Sequence, residues 1–380
     1  MSKAFVCRWG LVGCGGITRK FACDLAFDPA GREVSDVQHA IVIAGSRDPA
    51  KAQAFLDDAV PKGGFAQQSG LYPHKAKAGT YEDVYNDSEV DVVYIGTPHP
   101  QHFEAAKAAL EAGKGVLVEK PATLNAKESK ILIDLAKEKG VFFMEGVWTR
   151  FFPLVYKFQD LIHKEKVIGN IHNVLVDFGM GVFYTADESH RLFNPELAGG
   201  AQLDIGPYTI LWGLLALHEH PDNAREPPSN IVASSLPDPR TGVDLFTTII
   251  MDFKKINARA NLTANNTVSS SPEACVRVMG TKGELLIGAA VPARPTYIKI
   301  RKYKDAQPIK MASSYEETQL DFPIQGTGLN WEADAVARCI KDGKTTSERC
   351  SPETTLLTMG ILDEWRRQSG YKYPAGLEKA

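Results

Sequence analysis

The 380-residue chain has no C-x-x-C pair and no His/Cys cluster at zinc spacing; its six cysteines, Cys7, Cys14, Cys23, Cys275, Cys339 and Cys350, are scattered. Free thiols in a reducing compartment are expected, and no metal is. No segment approaches the roughly 20 apolar residues that span a bilayer, and the opening stretch MSKAFVCRWG lacks the apolar run of a signal peptide. The expectation is therefore a cytoplasmic protein, in which the glycosylation-like triplets at Asn86, Asn261 and Asn265 carry no meaning. Charge of one sign is not in excess either. The 43 basic and 46 acidic residues are interspersed to a net −3, which leaves no long basic patch for a nucleic acid or an acidic membrane. A small-molecule partner is expected. There is no internal repeat and no low-complexity segment, and the length exceeds one ordinary core, so two domains are expected.

What is present begins with residues 8–18, RWGLVGCGGIT, an apolar strand running into a glycine-rich turn and then a helix over residues 19–27. Gly13 and Gly15 take the first two places of a G-x-G-x-x-G pattern; without side chains they let the backbone turn tightly and approach a pyrophosphate, which the helix N-terminus favours. Thr18 stands at the third place, where helix and strand pack closely. A second strand over residues 40–44 ends at Ser46 and Arg47, with Asp48 as N-cap and Pro49 as first residue of the next helix. NAD-binding folds usually carry a carboxylate there for the ribose 2′-OH. A hydroxyl and a guanidinium suit a 2′-phosphate instead, so NADP is the expected cofactor. The distance from Gly13 exceeds the usual ~20 residues, which points to an insertion over residues 28–38.

A glycine-rich loop over residues 62–79 precedes apolar strands at 90–95 and 115–118, joined by an amphipathic helix; a helix at 126–139 and a strand at 141–145 follow. Buried strands with helical crossovers make a parallel, doubly wound sheet, and ligands bind beyond its carboxyl ends. That puts Thr97-Pro98 and Glu119-Lys120-Pro121 at the cofactor edge, with His99 and His102 in the first of these loops. From Trp148 the pattern changes to successive strands at 171–178, 243–253, 256–264, 274–280, 284–287 and 297–303, which predict a largely antiparallel sheet. The proline-dense residues 219–242 read as a surface excursion, and helices at 331–341 and 352–368 close the chain. The fold class is thus α/β and α+β: a Rossmann domain over residues 1–147, then an open, largely antiparallel sheet flanked by helices over 148–380.

Residues 199–217, GGAQLDIGPYTILWGLLAL, open with two glycines and continue as a helix that projects Asp204 and Tyr208, four apart, from one face. An acid and a phenol beside Lys120 form a set suited to moving a proton. GCGGI, Glu119-Lys120-Pro121 and Gly199-Gly200-Ala201 with Leu203-Asp204-Ile205-Gly206 and Tyr208 resemble the glucose-fructose oxidoreductase and inositol dehydrogenase family. HPQH at residues 99–102 and MEGVWTRFFP at 144–153 resemble its branch of dimeric dihydrodiol dehydrogenase and NADP-dependent D-xylose 1-dehydrogenase. The resemblance implies that Lys120 and Tyr208 are catalytic with Asp204 in the site, and that Trp148, Arg150 and Phe151 lie near the substrate, Trp148 and Arg150 also near the cofactor. It extends the cofactor set Gly13, Gly15, Ser46, Arg47, Thr97, Pro98, His99, His102, Glu119 and Lys120 to Gly16 and Ile17, and implies a homodimer paired through the second-domain sheet.

Oxidising an alcohol by hydride transfer requires a base for the hydroxyl proton, and a tyrosine of pKa near 10 needs help at neutral pH. A neighbouring ammonium such as Lys120 lowers a phenol by about 1–3 units. The leading expectation is NADP-dependent oxidation of D-xylose, and more weakly other aldoses, at C1 to the lactone. A trans-dihydrodiol dehydrogenase is the first alternative; a non-catalytic NADP-binding redox sensor is the alternative of another class.

Overall fold

The computed structural model describes residues 4–289, 291–304 and 314–380. Two units emerge from its packing: Met1–Phe151 with Ile324–Leu356 and Lys379–Ala380, and Phe152–Pro323 with Leu357–Glu378. The first unit thus runs to Phe151, near the boundary expected at residue 147, and also takes in residues 324–356 and 379–380.

The first unit contains a six-stranded parallel sheet of β1 (Phe5–Val12), β2 (Val37–Gly45), β3 (Lys77–Gly79), β4 (Val92–Ile95), β5 (Gly115–Glu119) and β6 (Phe143–Gly146), in the order β3-β2-β1-β4-β5-β6. Chain order reverses between β1 and β4, and the crevice at such a switch point is where α/β sheets bind ligands. β4 and β5 are buried at every position, as strands covered on both faces must be. The helix Pro49–Ala59 starts where its cap requires, the Asp48 carboxylate accepting the Ala50 N–H at 3.0 Å with Pro49 at the first position. The helix Ala126–Lys139 is capped by Asn125 and ends at Gly140, whose φ of 66° is left-handed.

Within residues 28–38 the chain makes the 3₁₀ turn Pro29–Arg32, which carries Arg32 to the returning helix Asn330–Lys341. There Asp334 accepts from Arg32 Nε at 2.6 Å and Nη2 at 2.8 Å, and from His39 Nε2 at 2.8 Å. Trp9 Nε1 donates to His39 Nδ1 at 3.1 Å, which leaves the ring proton on Nε2 for Asp334. Asp24 fastens the turn before this helix by accepting the N–H groups of Thr327, Gly328 and Leu329 at 3.0, 2.8 and 2.8 Å.

The second unit is built on an eight-stranded sheet, β7 (Ile171–Gly179), β8 (Asn230–Pro237), β9 (Asp244–Phe253), β10 (Ala258–Asn265), β11 (Val276–Gly280), β12 (Gly283–Gly288), β13 (Tyr297–Tyr303) and β14 (Tyr315–Asp321), ordered β14-β13-β12-β11-β7-β10-β9-β8. All neighbours are antiparallel except β7 and β10. Two strands lie outside the expected set. The proline-dense stretch contains β8, an edge strand whose final residue is Pro237, a place where a missing N–H costs no central ladder bond. β14, the other edge, is mostly exposed and so lacks the apolar alternation that marks a strand. The helix Gly206–Gly213 is buried throughout and lies on β7 and β10. Gly213 permits that approach, since a Cβ there would meet Met251 Cε at 2.8 Å and Ala260 Cβ at 3.4 Å. Among the described residues no helix is long and apolar enough to cross a membrane.

Candidate functional site

In the first unit a cleft of about 590 Å³ opens at the carboxyl ends of β1, β2 and β4, lined in part by Gly13, Gly15, Ser46, Arg47, Thr97 and Pro98. Gly13 has φ of 89°, and a Cβ there would stand 3.2 Å from the Gly96 carbonyl and from Thr97 Cγ2, so only glycine fits. Gly15 and Gly16 differ: a Cβ on Gly15 would meet one atom, at 3.9 Å, and on Gly16 nothing within 4 Å. Their lack of side chains keeps space open above the turn rather than relieving a clash. Gly15 is the N-cap of the helix Gly16–Leu25 and supplies no side-chain cap, which leaves first-turn amides, including that of Ile17, for an anion. This open cradle fits a dinucleotide pyrophosphate.

The third motif place has an unexpected resolution. Thr18 is fully buried, and its Oγ1 occupies the space where a Cβ on Gly96 would lie. The small residue required for close helix–strand packing has been moved to the end of β4. At the cleft's other rim Ser46 Oγ accepts the Asp48 N–H at 3.4 Å and Arg47 is exposed. Lys51, one helical turn beyond Arg47, and Arg19, paired with Asp58, also line the cleft. Neither was singled out from sequence; the i, i+4 spacing of Arg47 and Lys51 across a helix start was the available signal. Cys14 lines it too, as an uncharged thiol that burial pushes up to about 11.

The remaining expected residues of this unit do not line that cleft. His102 is 1% exposed, with Nδ1 and Nε2 each 2.8 Å from a carbonyl, those of Pro121 and Thr97, and burial holds its pKa below the usual range. It ties the loop after β4 to the loop after β5; His99 stands with its ring 5.7 Å from that of His102. Glu119 Oε1 accepts from Tyr94 Oη at 2.7 Å and Oε2 from the Lys120 amide at 3.2 Å. Glu145 accepts the Ala122 amide at 3.1 Å and is held above the normal carboxylate range by burial. Behind them Glu332, on the returning helix, is fully buried; burial, and then the charges of Glu119 and Glu145, push its pKa well above the usual carboxylate range, and neither of its oxygens has a hydrogen-bond partner among the described residues. Three carboxyl groups thus back the loop that carries Lys120. Trp148, Arg150 and Phe151 are 8%, 2% and 3% exposed, and Arg150 Nη1 donates to the Arg349 carbonyl at 3.3 Å.

The second unit carries the other expected residues. Asp204 and Tyr208 are each 5% exposed, and the Tyr208 ring packs against Phe178 at 5.9 Å. Asp204 forms a two-pronged ion pair with Arg191, Oδ1 to Nη1 at 2.9 Å and Oδ2 to Nη2 at 3.3 Å. A phenolate at Tyr208 would add to the pull that Asp204 exerts on the Arg191 proton. Arg191 lies 13 residues before Asp204 in an irregular segment, so no spacing rule could have found it. The segment is held from β9: buried Asp244 accepts the Gln202 amide at 2.6 Å and Thr247 Oγ1 at 3.1 Å. Desolvation outweighs those bonds and raises the Asp244 carboxyl to about 7.

A glycine cradle beneath a helix N-terminus, at the switch point of a parallel sheet in the order 3-2-1-4-5-6, defines a dinucleotide-binding protein. Residues 7–147 match the model of an oxidoreductase family with an NAD-binding Rossmann fold, and residues 157–286 match the GFO/IDH/MocA C-terminal domain. The chain belongs to this GFO/IDH/MocA oxidoreductase family. It is 35% identical over 390 residues to a D-xylose 1-dehydrogenase (NADP(+)) of Hypocrea jecorina, covering 97% of this chain and 94% of the relative. It is 32% identical to a trans-1,2-dihydrobenzene-1,2-diol dehydrogenase of Danio rerio, covering 96% and 98%. Among solved structures, a 3-ketoreductase from Actinomadura kijaniata in complex with NADP and TDP-benzene superposes with a TM-score of 0.73 at 21% identity, covering 96% of this chain and 98% of that one.

Proposed function

We propose that the chain is an NADP-dependent sugar dehydrogenase that oxidises D-xylose, and more weakly other aldoses, at C1 to the lactone. The observation that carries the cofactor choice is the cationic corner at the end of β2, where Ser46, Arg47 and Lys51 line the cleft. A 2′-phosphate finds charge-assisted hydrogen bonds there. Gly13, Gly15, Gly16 and Ile17 hold the pyrophosphate, and Thr97, Pro98, Glu119, Lys120, Trp148 and Arg150 the remainder. Bound NADP supplies the hydride acceptor. The chain's own residues handle the proton: Tyr208 takes it from the sugar hydroxyl, and the Lys120 ammonium favours the phenolate that must accept it. Asp204 receives hydrogen bonds from the substrate, and Trp148 and Phe151 offer apolar faces to it.

Oxidation of a trans-dihydrodiol by the same residues is the second reading, favoured by the zebrafish relative. Initial rates of NADPH formation with D-xylose and with a benzene dihydrodiol separate the two: a higher kcat/KM on D-xylose supports the first reading, and the reverse order replaces it. We also propose a homodimer through the eight-stranded sheet, supported by Leu175, a large apolar residue of central β7 that remains 37% exposed. Leu175→Asp is then expected to shift the sedimentation coefficient from dimer to monomer.

A further inference from the structure

Arg191 belongs to no helix or strand, yet its backbone is well anchored. Leu192 and Phe193 beside it are 2% and 0% exposed, and the Leu192 carbonyl accepts the Gly200 amide at 2.8 Å. The guanidinium spends two of its five N–H groups on Asp204, and the described residues offer it no other hydrogen bond. Its side chain remains 56% exposed while that of Asp204 is 7% exposed. An arginine tethered at one edge and open at the other is a recognition element. Neighbouring sugar hydroxyls each donate and accept, so one can accept from Arg191 while the next donates to Asp204. The matching ligand is a polyol with at least two vicinal hydroxyls beyond the reacting one. A benzene dihydrodiol has only one hydroxyl besides the reacting one.

We propose that Arg191, paired with Asp204, is the substrate-specificity residue of this enzyme and selects an aldose over an arene diol. The inference rests on the sugar-dehydrogenase reading above and adds the residue that enforces it. Because the guanidinium is already fixed by its ion pair, little freedom is lost when a sugar binds. A lysine keeps the charge but cannot reproduce the fork that holds the carboxylate and a hydroxyl together.

The test compares wild type with R191Q and R191K, each with NADP. R191Q is expected to lower kcat/KM for D-xylose by about 30-fold, mainly through KM, while changing that for a benzene dihydrodiol by less than about 3-fold. R191K is expected to restore only part of the loss, and all three proteins to melt within about 2 °C of one another. Equal losses on both substrates, or no loss on D-xylose, would overturn the proposal. Saturation-transfer NMR of D-xylose with the NADP-loaded chain reads binding without turnover. Loss of the sugar signal in R191Q supports the role of Arg191 even in a chain that proves to oxidise no sugar, whereas equal signals in wild type and R191Q overturn it even if turnover is brisk. Failure of wild type to oxidise D-xylose, by contrast, removes the function proposed above.

Discussion

The two units carry their candidate residues in different material. In the first unit recognition rests on backbone: a left-handed Gly13, open space over Gly15 and Gly16, and helix amides, with side chains adding the cationic rim of Arg47 and Lys51. In the second unit the candidate residues are side chains held by side chains: Arg191 on Asp204, Asp244 on the Gln202 amide, and Tyr208 against Phe178. A site made from backbone must be written locally, as a string of glycines between a strand and a helix. A site made from side chains can draw on any part of the chain. The first therefore tolerates few substitutions at its glycines, and the second concentrates its chemistry in single residues.

The largest effect expected from this contrast is on turnover. Tyr208→Phe should reduce kcat for D-xylose about a thousandfold at neutral pH, and near-normal turnover in stopped-flow or steady-state assays would show that the phenol is not the base. Next comes stability of the backbone half. Asp334→Ala strands the nearly buried Arg32 and His39, and should cost about 3–5 kcal/mol in denaturant melts. Burial opposes ionisation of Asp334, yet the bonds from Arg32 and His39 bring it down to about 2. Its folded pKa being depressed, the stabilisation is fully present above the unfolded value near 3.9 and is lost as pH falls through about 2. An unchanged acid limb in the variant would contradict this.

A smaller effect sharpens the comparison at the rim. Arg47→Ala should raise the KM for NADP about 10- to 100-fold and leave that for NAD within about 3-fold; equal changes would remove Arg47 from phosphate recognition. A further, pH-dependent effect concerns Asp244. Its folded pKa is raised to about 7 by burial, so the folded state keeps a proton that the unfolded state gives up above about pH 4, and stability declines between those values as pH rises. Asp244→Asn should flatten that decline in melts from pH 4 to 8, and a profile as steep as wild type would show that another group is responsible.

Much of the backbone half was legible in advance. Asp48-Pro49 marked a helix start because caps are local chemistry, and Gly13 marked the cradle for the same reason. What escaped was non-local or unpatterned. The parallel pairing of β7 with β10 spans 78 intervening residues, from Gly179 to Ala258, that hold β8 and β9 as well as the helix Gly206–Gly213, so no plain strand–helix–strand unit announces it. β8 and β14, at the two edges, answer to water on much of their surface and so show no apolar alternation. Thr18 looked like a damaged motif because its compensation, Gly96, lies on another strand. Arg191 and the buried Glu332 were invisible for the same reason: each gains meaning only from residues elsewhere in the chain.

The most direct test of the backbone-built cofactor half is a calorimetric titration of NADP and of NAD into Tyr208→Phe. The account predicts that NADP binds as tightly as to wild type and at least about tenfold more tightly than NAD. Loss of NADP binding with the phenol, or equal affinity for the two nucleotides, would contradict it.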